Sequence, residues 1–247
     1  MLENGANVNA RGDKYGSALQ AASIGGYEPI VRLLLENDAD VNVQGGEYGS
    51  ALQAASSRGY ERIVRRLLEN DADVNIQGGK YGNALQAASS GGYEQIARLL
   101  LKKGADNGAE VNVQGGYYGN ALQAASSGGH KRIVELLLEN GSDINAQGGY
   151  YGSALQAASS RGLEHMVRIL LENGADVNAQ GGKYGNALQA ASSGGYDRIV
   201  ELLLENGADI NVQGGEYANA LGAASTRGYV KTVQLLLDNG ADINAQG

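Results

Sequence analysis

Two stretches of this 247-residue chain place oxygen-bearing side chains at spacings that could bind a calcium ion. In one of them, Asp71, Asp73 and Asn75 occupy the first, third and fifth positions of a calcium-binding loop. The other stretch has the same pattern one repeat earlier in the chain. Such a loop requires glycine at its sixth position and glutamate at its twelfth, but Ile76 and Gly82 stand there. We therefore expect no calcium site.

Other residue types with catalytic or ligand-binding chemistry are scarce. The tandem glycines before Lys80 and Lys183 resemble part of a phosphate-binding loop, but tyrosine follows each lysine where serine or threonine is needed. The chain has no cysteine and only two histidines, His130 and His165, both expected at the surface, which excludes thiolate and multi-histidine metal sites. No nucleophile, base or metal-ligand set stands out, so we expect no catalysis and no cofactor.

Repetition is the dominant pattern in the chain. Residues 77–93 read QGGKYGNALQAASSGGY, and residues 180–196 repeat the same letters. One tyrosine marks each copy of the repeat: Tyr15, Tyr48, Tyr81, Tyr118, Tyr151, Tyr184 and Tyr217. Successive tyrosines lie 33 residues apart, except that the step from Tyr81 to Tyr118 is 37 residues. A period of this length is typical of solenoids, in which each unit contacts only its neighbours.

We divide the chain, as a single array, into a partial unit, seven full units and a short tail. The partial unit is residues 1–9 and the tail is residues 245–247. Units 1 to 7 span residues 10–42, 43–75, 76–112, 113–145, 146–178, 179–211 and 212–244. Unit 3 contains four extra residues, around Asp106-Asn107-Gly108-Ala109. We expect them to loop out, or to bend the stack, in the connection after the second helix of that unit.

Charge and hydropathy exclude two classes of partner. The chain has 19 Lys plus Arg against 27 Asp plus Glu, a net charge of −8, which opposes the phosphate neutralisation that nucleic-acid binding needs. No apolar run approaches the roughly 20 residues of a membrane span, and the first residues lack the basic start and apolar stretch of a secretory signal. We therefore expect a soluble, cytoplasmic protein that binds neither nucleic acid nor membrane.

Each unit predicts two helices. A serine or asparagine stands directly before Ala-Leu in every unit, and both are good N-cap residues. These residues are Ser17, Ser50, Asn83, Asn120, Ser153, Asn186 and Asn219. A short alanine-rich helix should begin there and end at a glycine pair such as Gly25-Gly26. Apolar residues at Ile30, Val31, Leu34 and Leu35 then predict a second helix with one buried face.

The residue that closes the second helix differs between units. Five units have glycine there, the residue suited to a left-handed backbone: Gly104, Gly141, Gly174, Gly207 and Gly240. Units 1 and 2 have Asp38 and Asp71 instead. If the backbone is left-handed, each aspartate should cost on the order of 1 kcal/mol relative to glycine. We therefore expect the N-terminal third of the array to open first.

The repeat resembles the ankyrin repeat. Two antiparallel helices and an extended turn at this period, with LLENGADVNAQ closing a unit at residues 170–180, carry the resemblance over almost the whole chain. Residues 17–22 align with the helix-1 signature TPLHxA of that family. Ala18 replaces its proline, and Gln20 replaces its histidine, which in the family links adjacent turns. Glutamine has a donor and an acceptor and could link turns similarly, although Gly222 interrupts this series in unit 7.

The resemblance implies an all-α ankyrin-repeat solenoid. It also implies a non-catalytic protein-binding module that contacts its partner through hairpin tips and first-helix ends on the concave face. The form GGxYGNALQAAS is further similar to the near-identical ankyrin arrays of fungal NOD-like receptors and to consensus-designed arrays. By this alignment, the residue before each repeat tyrosine is a tip position, and it varies from unit to unit.

Tyrosine and arginine at these positions are the best candidates for partner contacts, because both residues are common energetic anchors of interfaces. We expect a central patch of Tyr117 and Tyr150 flanked by Arg161. The remaining candidates are Arg58, Glu47, Lys80 and Lys183. Strict recurrence of the seven repeat tyrosines favours a packing role for them instead. The alternative is a structural array without a dedicated partner, because many tips are glycine and exposed solenoid ends can associate head to tail.

Overall fold

A computed structural model describes residues 7–107 and 111–244. Residues 1–6 of the partial unit and the tail lie outside these ranges. The described residues form an all-α solenoid in which each unit contributes two antiparallel helices. The helices are α1 (Ala18–Gly25), α2 (Glu28–Glu36), α3 (Ala51–Arg58), α4 (Glu61–Glu69), α5 (Ala84–Gly91), α6 (Glu94–Asn107), α7 (Ala121–Gly128), α8 (Lys131–Glu139), α9 (Ala154–Ser160), α10 (Glu164–Glu172), α11 (Ala187–Ser193), α12 (Asp197–Glu205), α13 (Ala220–Arg227) and α14 (Val230–Asp238).

The first helix of every unit begins where the sequence predicts. All seven N-cap side chains accept a hydrogen bond from the backbone N–H three residues on. In unit 4 the cap is reciprocal: Asn120 Oδ1 accepts from Gln123 N at 2.8 Å, and Gln123 Oε1 accepts from Asn120 N at 3.0 Å. This capping box satisfies two amides that the helix itself leaves open. The predicted start of the first helix is therefore confirmed.

The core lies between the first and second helices of each unit and continues from unit to unit. In α8, Ile133, Val134 and Leu137 are fully or almost fully buried, as the apolar stripe of the second helix predicts. In α2 only Val31 is fully buried, and Ile30, which we expected on the buried face, is 47% exposed. The alanines of the first helices, such as Ala124 and Ala125, are also fully buried. Because alanine is small, neighbouring first helices can approach closely.

The two rows of helices pack with different closeness. Consecutive first helices pack against each other more extensively than consecutive second helices do, so the first helices line the inner side. The hairpins that precede them form a row along the same side. The hairpins of units 1 to 6 are each closed by one short antiparallel pairing, seen as β1 (Arg11–Gly12) with β2 (Gly16–Ser17) in unit 1 and as Gly148 with Gly152 in unit 5.

Glycine allows the hairpins to stack. Gly149 has φ of 62°, and a Cβ atom placed there would lie 2.4 Å from the backbone of Tyr118 in the preceding hairpin. Any side chain would therefore push the two hairpins apart. Asp13 stands at the equivalent position of unit 1, where it is exposed.

Buried glutamines connect each unit to the next, in the role that the family resemblance suggested. Gln123 is fully buried, and its Nε2 donates to Gly152 O at 3.0 Å and to Ala146 O at 3.2 Å. Equivalent bonds run from Gln20, Gln53, Gln86, Gln156 and Gln189. The first-helix glutamine thus fixes the hairpin of the following unit, and Gly222 has no side chain with which to continue the series.

Exposed asparagines form a second, parallel set of links. Asn145 Oδ1 accepts from Asp176 N at 2.8 Å, and its Nδ2 donates to Gly174 O at 3.3 Å in the next unit. Asn9, Asn42, Asn112, Asn178 and Asn211 make the same pair of bonds. Both series bridge consecutive units by side-chain to backbone hydrogen bonds.

The insertion in unit 3 differs from our expectation. Helix α6 continues through Gly104 to Asn107, so Asp106 and Asn107 are helical and do not form a loop. Four residues are close to one α-helical turn, and the helix therefore absorbs much of the insertion by extending. We predicted that Gly104 closes the second helix, and this is wrong, because Gly104 lies inside α6. The other four glycines have left-handed φ angles of 81° to 91°. Gly108 and Ala109 lie outside the described residues.

Asp38 and Asp71 adopt the left-handed backbone conformation that makes aspartate unfavourable there. Their φ angles are 61° and 62°. The structural condition for the expected energetic cost is therefore met in units 1 and 2. Earlier opening of the N-terminal third stays a prediction.

Candidate interaction face

The tip residues of successive hairpins form a continuous backbone-bonded column. Tyr117 N donates to Lys80 O at 3.1 Å, Tyr150 N donates to Tyr117 O at 2.9 Å, and Lys183 N donates to Tyr150 O at 2.9 Å. We call this the tip column, and its members are Lys14, Glu47, Lys80, Tyr117, Tyr150, Lys183 and Glu216. These bonds hold variable side chains in a fixed row along the inner side of the stack.

The repeat tyrosines form a second row beside the tip column, which we call the tyrosine column. Tyr48 stacks on Tyr81 with ring centroids 6.5 Å apart, and Tyr118 stacks on Tyr151 at 6.4 Å. Exposure varies along the row, because Tyr151 is 7% exposed while Tyr15 is 45% exposed. Packing between units therefore explains much of the recurrence of these tyrosines, as we expected from the sequence. Part of several rings remains exposed to solvent.

Units 4 and 5 bring four tyrosines together, because each has tyrosine at both the tip and the repeat position. Tyr117 and Tyr150 stack at 4.8 Å with an interplanar angle of 21°. Tyr118 and Tyr151 meet them edge to face at 5.1 Å each. Tyr117 is 45% exposed and Tyr150 is half-buried. The result is a rigid aromatic surface in the middle of the array.

Cationic side chains lie beside these rings. Lys80 Nζ is 5.8 Å from the ring centroid of Tyr81, and Lys183 Nζ is 5.4 Å from that of Tyr150. Lys183 also pairs with Glu216 Oε2 at 3.2 Å. Such contacts restrict flexible cationic side chains to positions over the aromatic face.

Three arginines at the C-terminal ends of first helices, Arg58, Arg161 and Arg227, adjoin the tyrosine column. Arg227 donates to Tyr217 Oη at 2.7 Å, and a hydrogen bond from Arg58 to Tyr48 raises the pKa of Arg58. Burial raises the pKa of Tyr118, and the nearby charge of Arg161 opposes part of that rise. We use the name concave face for the tip column, the tyrosine column and these three arginines.

The protonation states of the concave face are set by burial and by hydrogen bonds. Burial, and then the hydroxyls of Tyr151 and Tyr150, raise the pKa of Tyr117 to about 12. Hydrogen bonds with Tyr150 and Glu216 raise the pKa of Lys183. Near neutral pH, Tyr117 therefore keeps its hydroxyl proton and Lys183 keeps its positive charge.

The structure brings together some of the predicted contact residues and separates others. Tyr117 and Tyr150 touch, and Lys183 adjoins Tyr150. Arg58 and Glu47 belong instead to a pocket near the N-terminal end of the face. Among the described residues, Arg161 makes no hydrogen bond to either tip tyrosine, although its charge acts on the pKa of Tyr118, which burial raises. The predicted central patch is thus a tyrosine cluster with Arg161 at its border.

One series of packing residues was not singled out from the sequence. From unit 2 onwards, the residue before the second helix packs on the left-handed glycine that follows the first helix of the preceding unit, as Tyr60 does on Gly26 and His130 on Gly92. His165 is exposed, as expected, whereas His130 is half-buried and its Nε2 lies 3.2 Å from Ser90 O, so His130 is less exposed than predicted. The signal was present, since an aromatic ring recurs at this position in six of the seven units.

Within the described residues, the acidic and histidine side chains do not form any group of three or more that could hold a metal ion. The helices of the described ranges also include none that is long and apolar enough to cross a membrane.

Comparisons with known proteins agree with the repeat architecture. Family models described as "Ankyrin repeats (3 copies)" match residues 45–114, 121–214 and 182–247, and one described as "Ankyrin repeats (many copies)" matches residues 18–65. The fold is similar to the crystal structure of the human ASB11 ankyrin repeat domain, with a TM-score of 0.72 and 24% sequence identity. That match covers 89% of this chain and 97% of the other. A comparison with curated protein sequences finds no match.

Proposed function

The chain belongs to the ankyrin repeat family, whose repeats generally mediate protein–protein interactions, and we propose that it binds a protein partner on its concave face. The observation that carries this proposal is the stacked pair of Tyr117 and Tyr150, held by a backbone hydrogen bond of 2.9 Å. Tyrosine is enriched among the residues that dominate binding energy, and it loses little conformational freedom on binding when it is already fixed.

The tip column supports the same proposal. The core letters of the repeat hardly change between units, whereas the tip residue is lysine, glutamate or tyrosine. A fixed backbone with a variable side chain at each step gives a surface whose specificity depends on a few positions. Arg161, Arg58, Glu47, Lys80 and Lys183 are the other proposed contacts.

The test is a double variant, Tyr117→Ala with Tyr150→Ala. A protein captured on the immobilised chain and identified by mass spectrometry is purified, and its affinity is measured by calorimetry. Loss of two interface tyrosines should weaken binding by about tenfold to several hundredfold. The matched control is Leu33→Ala with Val230→Ala, which removes apolar side chains that are 53% and 80% exposed on second helices.

Two results would count against the proposal. Affinity within twofold of the unmodified chain for the tyrosine variant, with its circular dichroism unchanged, would show that the cluster is not the binding site. A mass that rises with concentration in size-exclusion chromatography with light scattering would favour the alternative, head-to-tail self-association of the array.

A further inference from the structure

We infer that the partner presents an acidic segment to the concave face; this inference rests on the proposed function and names the chemistry of the segment that binds there. The face carries six cations and two anions, although the whole chain has a net charge of −8. The cations are Lys14, Lys80, Lys183, Arg58, Arg161 and Arg227, and the anions are Glu47 and Glu216. The face where the partner is proposed to bind therefore has a net positive charge, opposite in sign to that of the whole chain.

Ion pairs are common on the second helices and rare on the concave face. Seven of the eight second-helix arginines lie within 4.0 Å of a glutamate, and Arg62 is the exception within the described residues. The seven are Arg32, Arg65, Arg66, Arg98, Arg132, Arg168 and Arg198. On the concave face, Lys183 pairs with Glu216. Within the described part of the chain, the other five cations of the face make no ion pair within 4.0 Å. Cations without an internal carboxylate are available to the carboxylates of a partner.

These cations are held in place without being neutralised. Lys14 Nζ lies 5.1 Å from the ring centroid of Tyr15, Lys80 lies beside Tyr81, and Arg227 is bonded to Tyr217. A phenol hydroxyl next to an ammonium or guanidinium group gives two adjacent donors, which is the arrangement that a carboxylate accepts. Fixed side chains also lose less entropy when a partner binds.

The N-terminal end of the face adds a pocket of about 500 Å³. Its walls include Tyr15, Tyr27 and Ile24, with Lys14 and Arg58 at the same site and Glu47 as an opposing charge. Ile24 is particular to unit 1, since serine or threonine occupies this position in the other units. The pocket fits an apolar side chain that is flanked by carboxylates, so the segment would be acidic with apolar residues interspersed.

The first test uses three fluorescein-labelled probes of matched length in fluorescence anisotropy. They are a 12-residue peptide of alternating Glu and Leu, the same peptide with Lys for Glu, and a single-stranded 12-nucleotide DNA. The acidic peptide should bind most tightly and should lose affinity between 25 and 300 mM NaCl, because salt screens exposed charges. Equal or tighter binding of the basic peptide, or of the DNA, would overturn the inference.

The second test changes the arginines. The triple variant Arg58→Gln, Arg161→Gln and Arg227→Gln should weaken acidic-peptide binding by about tenfold, since each exposed pair contributes modestly. The control triple variant Arg32→Gln, Arg98→Gln and Arg168→Gln removes the same charge from second helices and should leave affinity within twofold. Replacing the three concave arginines by glutamate should shift preference to the basic peptide. Equal effects of the two glutamine triples would contradict the inference.

The captured partner distinguishes this inference from the proposed function. If the tyrosine variant abolishes its binding while the concave glutamine triple and added salt do not weaken it, the concave site stands and the acidic segment is wrong. If neither variant weakens its binding, both proposals fail. Loss of binding with both variants supports both.

Discussion

Replacing Gln123 by alanine should lower the free energy of unfolding by about 2–4 kcal/mol. Its Nε2 donates to Gly152 O and Ala146 O of the next unit, and its Oε1 accepts from Asn120 N. Truncation leaves the Asn120 amide without its partner in a buried site, which costs about 1–3 kcal/mol. Gly152 O still accepts from Gly148 N at 2.8 Å, so the loss at the carbonyl side adds only about 1 kcal/mol.

Urea unfolding followed by circular dichroism measures this change. Gln147→Ala, at an exposed position, is the control and should stay within about 0.5 kcal/mol of the unmodified chain. Gln123→Glu should destabilise at least as strongly as alanine, because a carboxylate oxygen would then face backbone carbonyl oxygens in a buried site. A Gln123→Ala variant within 0.5 kcal/mol of the unmodified chain would refute the linking role of the buried glutamine.

Three further predictions follow from the backbone, the asparagine series and the tyrosine cluster. Asp38→Gly with Asp71→Gly should raise the free energy of unfolding by about 1–2 kcal/mol. Asp38→Asn with Asp71→Asn is the control that removes the charges but keeps the side chains. No gain in stability with glycine would contradict the left-handed strain. Asn145→Ala should cost about 1 kcal/mol and speed hydrogen exchange at the Asp176 amide, and unchanged exchange there would count against the link. The pKa of Tyr117 is raised to about 12 in the fold, so the unfolded chain loses this proton at lower pH and the free energy of unfolding falls between pH 10 and about 12. Tyr117→Phe should make this fall smaller. Equal urea midpoints of the two proteins across this pH range would disprove this.

Much of the fold was predictable because its signals are local and repeated. The cap at Asn120 and the end of the first helix at Gly129 depend on residues within one turn, and the structure has both. The link made by Gln20 was predictable only as an analogy, since its acceptors, Gly45 O and Gly49 O, lie in the next unit.

The features that we did not predict depend on contacts between units or on two local sequence signals that favour different structures. In unit 3, Gly104 stands where glycine ends other second helices, but an insertion close to one turn long follows it and the helix continues to Asn107. His130 looked like a surface residue because the glycine on which it packs belongs to the preceding unit. Tyr117 and Tyr150 could be named from their positions, whereas their 4.8 Å stacking required the spacing between hairpins.

The links between units have a consequence for how such a gene can change. Residues as different as Ile76, Val113, Ala146 and Val212 accept the glutamine bond, because the acceptor is always the peptide carbonyl. A unit that carries this glutamine can therefore be followed by another unit without a matching substitution at the carbonyl that accepts the bond. Duplication or deletion of one 33-residue segment leaves each junction intact and moves the tip side chains to new places along the row. Recombination between identical segments can thus produce arrays with new surfaces in a single genetic event.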